Sequence, residues 1–428
     1  MHAFRIRLSI FLISFVIAVD MYVWQAVKTL LRNKSDRTKR LVKYIYWSVP
    51  VIMIFFLLLS FIFPGIDTGK AFRTYFSAAY FIIYLSKFTV CLFLLFDDLR
   101  RLFKWGFRKI TTRKKNVDAD STQEVIKEST ISRSRFISET GLIVGLAPLI
   151  IFTRGITKGA YDYTVRKVQL YLPNLPSAFE GLKVLQISDV HTGSFNDKDK
   201  VYKGIKLIKD QGADLAFFTG DLVNSRTEEC YEWLDMFSEV KAPMGVYSIF
   251  GNHDYGDYVS DWKSPEAKAK NLEDLVKAHK DLGWNLLRNE HVIIDRNFQK
   301  IGLIGVENWG HTARFQKYGD LTKASNEMPA VPVKLLLSHD PSHFDYIVSN
   351  EHKDIDVTFS GHTHGFQFGV DIPGFKWSPV KYFYPHWAGL YNVGKQQLYV
   401  NRGYGFLGYP GRVGILPEIT VFTLTGNV

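Results

Sequence analysis

KVLQISDVHTG (183–193) and DVTFSGHTHG (356–365) decide the fold, because each is a short apolar run that ends abruptly in Asp, His and Gly. LAFFTGD (215–221), VYSIFGNHD (246–254) and VKLLLSHD (333–340) repeat the design, and IGLIGV (301–306) is a sixth apolar run without the polar ending. Runs of this length, rich in Val, Ile, Leu and Phe, read as strands buried on both faces. Between them lie amphipathic stretches, such as AKAKNLEDLVKAHKDL (267–282) and residues 228–240, that read as helices. Alternation of the two predicts one compact α/β domain of about 250 residues. A further strand over 165–171 precedes it, set off by the turn Pro173–Pro176. Loops at strand ends are where such domains place their sites. Five endings made of metal-ligand residue types therefore predict a site for two metal ions.

Working outward, the composition changes before about residue 160. The whole chain has 428 residues, 46% hydrophobic and 22% charged, so it is too apolar to be disordered and long enough for two domains. Its two cysteines, Cys91 and Cys230, exclude a disulfide-stapled secreted scaffold. The formal charge of +11 would suggest nucleic acid if it covered a folded surface, but it is concentrated in two segments. Residues 28–43 carry seven Lys or Arg against Asp36, and residues 97–115 carry eight against Asp97 and Asp98. Each segment is thus +6, and together they account for the whole excess. A nucleic-acid partner is not expected.

Both basic segments read as loops bordering runs long enough to cross the hydrocarbon of a bilayer, about 20 residues each. Residues 6–27, 44–64 and 74–96 are expected spans. A fourth run, Gly141 to Phe152 with flanks from Phe136, is shorter and holds Gly145 and Pro148, so it is either a span or an interfacial helix. Basic loops stay cytoplasmic. With both inside and the fourth run crossing, everything after about residue 156 is extracytoplasmic; without that crossing it is cytoplasmic. The polar stretch 116–135 reads as a solvated linker or a short helix. Asp20 and Lys87 lie within spans, where a position near the span's end for Asp20, and snorkelling or pairing in the bundle for Lys87, explain them better than a transport pathway. The expected organisation is a helical membrane bundle over 1–156, a connector with an edge strand over 157–182, and an α/β domain over 183–428.

The order D-x-H, GD, GNH[DE], H and GHxH over 183–364 resembles the calcineurin-like metallophosphoesterase superfamily. GLYNVGKQQLYVNRGYG (389–405) and PEITVFTL (417–424) are similar to its membrane-linked bacterial branch. The resemblance implies a four-layer α/β/β/α sandwich with two divalent metals at the strand ends. Carried over by motif position, Asp189, His191 and His364 would hold one ion, Asn252, His339 and His362 the other, and Asp221 would bridge them. Carboxylates offset the repulsion of two dications, and nitrogen and oxygen donors suit manganese, iron and zinc alike. A pair so held can activate a bridging hydroxide for attack on a phosphomonoester or phosphodiester. By the same carry-over His253 is the proton donor to the substrate, and Asp254 orients it.

Two positions depart from the family pattern: Asn224, where an acid is common, and Phe366, where this branch usually has glycine. His311, His343 and Arg402 read more naturally as structural than as part of the cleft. The aromatic stretch FKWSPVKYFYPHWAGLY (375–391) reads equally as core or as a rim touching lipid, and the second would make a lipid-linked substrate plausible. The competing readings are a pyrophosphatase for a lipid-linked nucleotide of the UDP-diacylglucosamine type and, from another class, a membrane sensor or scaffold that does not catalyse. The substrate and the oligomeric state are not legible from the sequence.

Overall fold

A computed structural model of the chain describes residues 2–62, 69–111, 133–313 and 315–426. They divide into two compact units, Met1–Thr153 and Arg154–Val428.

The first unit is helical: α1 (His2–Leu31), α2 (Asp36–Ile62), α3 (Lys70–Thr111) and α4 (Arg133–Thr157), whose last turn, from Arg154, belongs to the second unit. Val16, Val23, Met53, Tyr84 and Val90 form its core, while Phe55, Phe96 and Ile150 point outward and are exposed. Apolar side chains on the outside are what a lipid solvent allows. Among the described residues three stretches are long and apolar enough to cross a membrane: Ile10–Leu31, Lys70–Lys109 and Arg135–Tyr161. The shortest expected run thus lies in a helix of sufficient length. The expected span 44–64 falls largely in α2, which is not among the three. The linker or short helix expected over 116–135 falls mostly outside the described residues.

Among the described residues the basic segments are mostly helix. Only residues 32–35 interrupt helix in the first, and α3 continues through Thr111 across most of the second. Lys and Arg are good helix formers, so charge by itself does not end a helix. At Gly145, a Cβ would lie 2.3 Å from Val90 Cγ2, so α4 approaches α3 more closely than a larger residue would permit.

The second unit contains fourteen strands among the described residues: β1 (Thr164–Tyr171), β2 (Lys183–Ile187), β3 (Leu215–Phe218), β4 (Val246–Ser248), β5 (Asn285–Leu286), β6 (Glu290–Arg296), β7 (Gln299–Gly305), β8 (Lys334–Leu337), β9 (Val357–Ser360), β10 (Val370–Ile372), β11 (Phe375–Trp377), β12 (Gly389–Val393), β13 (Gln396–Val400) and β14 (Glu418–Thr425). They build one sheet of order β1-β14-β2-β3-β4-β5, a second of order β12-β13-β9-β8-β7-β6, and a separate β10-β11 hairpin. The final strand β14 lies between β1 and β2, parallel to the first and antiparallel to the second.

Side-chain alternation explains the layering. In β3, Leu215 and Phe217 face the second sheet, where they meet Leu335, Leu337 and Phe359, whereas Ala216 and Phe218 face helices. Those helices are α5 (Lys198–Lys209), α6 (Leu234–Phe237) and α7 (Pro265–Asp281). On the far side of the second sheet, Leu336 and Leu398 pack under α8 (Leu321–Ser325) and the helical turns of 341–351. The result is the expected α/β/β/α sandwich. α5 and α7 start where Asp197 and Ser264 accept hydrogen bonds from the third residue on, and Pro265 occupies the first turn of α7. The helix expected over 228–240 is reduced to the four residues of α6 behind two short 3₁₀ turns, a geometry that turns Trp233 and Phe237 into the core.

Candidate metal centre

β2, β3 and β4 run parallel in one sheet, as do β8 and β9 in the other, and the loops at their C-terminal ends meet over the seam between the sheets. Asp189 and His191 follow β2, Asp221 follows β3, Asn252 to Asp254 follow β4, His339 follows β8, and His362 and His364 follow β9. Hydrogen bonds lace these loops together: Asp189 N–H donates to the Gly220 carbonyl at 2.9 Å, and His191 N–H to that of Asp221 at 3.1 Å.

Two groups of donors result. Asp189, His191 and His364 form one, and Asp189, Asp221 and His339 the other; in each the ligand atoms lie within 4.8 Å of one another. Asp221 Oδ2 also stands 3.5 Å from His191 Nε2 and 3.2 Å from His339 Nε2, so it touches both groups. Asn252 Oδ1 lies 3.2 Å from His339 Nε2 and 2.7 Å from His362 Nδ1. All seven residues expected to hold metal therefore converge.

The donor chemistry fits cations. His191 and His364 face each other nitrogen to nitrogen at 3.0 Å, where at least one lone pair must point at its neighbour unless a proton or another cation intervenes. Buried His191 Nδ1 has no partner among the described residues. Burial alone would lower the pKa of His339, yet Asp221 and Asp189 outweigh it and push the imidazole up to about 10. At His191 burial outweighs the pull of the same carboxylates, with His364 and His253 adding to it, and holds the imidazole well below the ordinary histidine range. The carboxylates thus place a field at this seam that a proton answers only in part and a divalent ion answers better.

The backbone is strained at the same residues. Asp189, His191, Asp221, His362 and His364 have φ of 53°, 49°, 62°, 71° and 50°, in the left-handed region that side chains disfavour by about 1–3 kcal/mol each. Two glycines permit the close approach: a Cβ on Gly361 would sit 2.0 Å from Ser188 Oγ, and one on Gly251 would sit 2.2 Å from Asp221 Oδ1. Phe366 also has positive φ, at 59°, which is the physical reason a glycine suits that position.

His253 stands at the edge of the cluster with its ring edge-on to His191 at 5.0 Å. Its Nδ1 lies 2.7 Å from the Asn224 carbonyl, which can only accept, so Nδ1 carries the proton and Nε2 is left for other work. The expected orienting role of Asp254 is not what the geometry shows. That carboxylate is buried and accepts from the backbone N–H groups of Asp221, Leu222 and Gly251 at 2.8–2.9 Å, clamping the β3 and β4 loops together. The chain reversal at 251–254 turns its side chain inward, and Asn224 orients the imidazole instead.

Two participants escaped sequence reasoning. The Tyr384 hydroxyl lies 2.8 Å from His362 Nε2, and fully buried Arg412 places a guanidinium nitrogen 3.1 Å from His364 Nδ1. Neither sits in a motif, though the aromatic stretch 375–391 contains Tyr384. His343 bonds Ser338, His311 stacks on Tyr346 and Arg402 pairs with Glu418, so none of the three belongs to the cluster. Beside Asn252 opens a cavity of about 260 Å³, lined also by Tyr255, Tyr258, Asn308 and Tyr318.

Comparison with known proteins agrees with this geometry. Residues 182–366 match the family model for the calcineurin-like phosphoesterase domain, and residues 6–160 match that described as a probable calcineurin-like phosphoesterase, transmembrane domain. A transmembrane protein with metallophosphoesterase domain from Danio rerio is 25% identical over 98% of this chain and 90% of its own length. The uncharacterized metallophosphoesterase YkuE of Bacillus subtilis is 29% identical over 58% of this chain and 81% of its own. Among solved structures, the Haemophilus influenzae NAD nucleotidase overlaps 52% of this chain and 45% of its own, with 16% identity and a TM-score of 0.35, which adds nothing to the assignment. With both family models met in succession along one chain, residues 182–366 are a calcineurin-like phosphoesterase domain, preceded over residues 6–160 by the transmembrane domain of probable calcineurin-like phosphoesterases.

Proposed function

We propose that this protein is a multi-pass membrane hydrolase that cleaves phosphomonoesters or phosphodiesters with two divalent metal ions. The observation that carries the reading is the pair of buried donor groups sharing Asp189, with Asp221 in reach of histidines from both. In this reading Asp189, His191 and His364 hold one ion, Asn252, His339 and His362 the other, and Asp221 touches both. When bound, such a pair supplies an activated water and a clamp on the phosphoryl oxygens. The protein's own residues do the rest. His253, fixed through Nδ1–H by the Asn224 carbonyl, presents Nε2 to the phosphoryl or leaving oxygen, and in the imidazolium form, protonated at both nitrogens, it hands the Nε2 proton to the leaving oxygen as the ester bond breaks. Asp254 holds the two loops that carry Asp221 and His253 at one spacing. Tyr384 steadies His362 from the rim, and the cavity beside Asn252 receives part of the substrate.

A donating histidine beside the donor cluster favours catalysis over a sensor or scaffold, since ligand binding alone has no use for a positioned proton. The basic segments favour an extracytoplasmic domain and an odd-even order of four crossings. The exposed part of the aromatic stretch favours a lipid-like substrate over a pyrophosphate-linked nucleotide, which would need the domain in the cytoplasm. Purified full-length protein supplied with manganese is expected to hydrolyse an aryl phosphate or bis-aryl phosphate. Asp221→Ala and His362→Ala are each expected to lower turnover more than about a hundredfold with the melting transition intact. Undiminished turnover in both variants would defeat the assignment.

A further inference from the structure

The β10-β11 hairpin is amphipathic in the wrong sense for a protein in water. Its cross-strand pairs are Val370 with Trp377, Asp371 with Lys376, and Ile372 with Phe375. The polar pair faces the domain: Asp371 is bonded by Arg166 at 2.6 Å and Arg402 at 3.1 Å, and Lys376 Nζ reaches the Ala388 carbonyl. The apolar side is turned outward, with Ile372 58% and Phe375 55% exposed. Phe366 and Phe383, stacked at 6.3 Å and both exposed, extend this surface toward the metal centre. Phe366 is two residues from His364, and Tyr384, which touches His362, follows Phe383. The other half of the aromatic stretch does the opposite, with Val380, Trp387 and Ala388 buried as a small core beneath. A hairpin anchored by ion pairs on its polar face and bare on its apolar face is built to meet a non-aqueous neighbour.

What that neighbour is follows from the hairpin's stem. Gly369 N–H donates to the Val413 carbonyl at 2.9 Å, and Val413 N–H to that of Gln367 at 2.8 Å. The adjoining Arg412 N–H donates to the carbonyl of Gly155, in the last turn of α4. Gly155 and Gly159 lie so close to the 409–413 loop that a Cβ would meet Tyr409, Val413 or the Arg412 carbonyl within 2.7 Å. The stem is thus fastened to the end of a helix long and apolar enough to cross a membrane. We propose that the outward face of the hairpin, with Phe366 and Phe383, docks on the lipid bilayer from which α4 emerges and brings the mouth of the metal centre to headgroup depth. Its consequence for substrate rests on the phosphoesterase reading above: the scissile phosphate is that of a lipid lying in the bilayer, presented without leaving it.

Docking and substrate are tested separately in the full chain, reconstituted in bilayer discs of phosphatidylcholine and phosphatidylglycerol. With Cys91 and Cys230 replaced by serine, a nitroxide is attached at Phe375→Cys or, for reference, at Phe298→Cys, whose side chain is 99% exposed in the β6–β7 turn. Docking predicts that the label at 375 is relaxed strongly by membrane-dissolved oxygen and weakly by a water-soluble nickel chelate, and the label at 298 the reverse. Equal nickel access at both sites would overturn the proposal, as would shielding of 375 from both reagents, which marks a second copy of the chain. Ile372→Asp with Phe375→Asp is expected to lower kcat/KM at least tenfold on a lipid phosphomonoester in the bilayer, with kcat/KM unchanged on a soluble aryl phosphate. Equal loss on both substrates would overturn the substrate half. Absence of aryl phosphate turnover in the unaltered protein would instead sink the hydrolase reading and leave the label measurement to decide docking.

Discussion

Each unit buries carboxylates, and each treats them differently. In the helical unit Asp20 has no exposure, yet its oxygens are both taken: Lys87 Nζ stands 2.5 Å from Oδ1, the Tyr84 hydroxyl donates to Oδ2 at 2.9 Å, and Tyr46 caps the backbone carbonyl. In the α/β unit Asp189 and Asp221 are as deeply buried, but the groups around them are imidazoles whose lone pairs compete, held on left-handed backbone. The first arrangement is closed by a cation the chain itself provides. In the second, the buried guanidinium of Arg412 meets His364 and the backbone, not Asp221 or Asp189, among the described residues, and the charge of the carboxylates is left for ions that arrive from outside. Burial of charge alone is therefore no sign of a site; what distinguishes one is whether the chain supplies its own counter-charge.

Three changes would break or sharpen that contrast. The largest effect is expected from His253→Gln, which removes the proton donor but none of the metal donors. Turnover should fall about 10²–10⁴-fold, with metal content measured by elemental analysis unchanged; loss of metal along with activity would reassign His253 to the donor set. Next is Asp20→Ala, which leaves Lys87 unpaired in the helical unit and should lower stability by about 3–5 kcal/mol. Asp20→Leu combined with Lys87→Leu should recover most of that loss. Unfolding in mixed micelles reads both, and aryl phosphate turnover at low temperature should be spared. If the double variant is no better than the single one, the pair is more than a mutual neutralisation. Smallest is Phe366→Gly, which relieves a positive φ and is expected to raise stability by about 1 kcal/mol. A melting temperature that falls instead would mean that the stack on Phe383 outweighs the backbone strain.

Much of the site was legible because its chemistry is written locally. A ligand residue at the end of an apolar strand needs only the strand and its turn, so Asp189, His191, Asp221, Asn252, His339, His362 and His364 could each be named from a few neighbouring letters. The orienting role assigned to Asp254 failed for the same reason in reverse. Adjacency to His253 suggested contact, whereas the backbone turn sends the two side chains in different directions and Asp254 meets amides 31 to 33 residues away in sequence. How far helix runs into the basic segments was not legible, because charge is silent about helix continuity.

By itself the sequence determined the alternation of strand and helix, the apolar helical half, the confinement of excess charge to two short segments, and the identity of the metal-donor residues, since each is a property of residues near one another in the chain. Tertiary structure alone decided that β14 enters between β1 and β2, that Tyr384 and Arg412 reach the histidines of the centre, and that a hairpin shows its apolar face outward. Those depend on contacts between distant segments, and no local pattern encodes which distant partner a strand, a hydroxyl or a guanidinium will find.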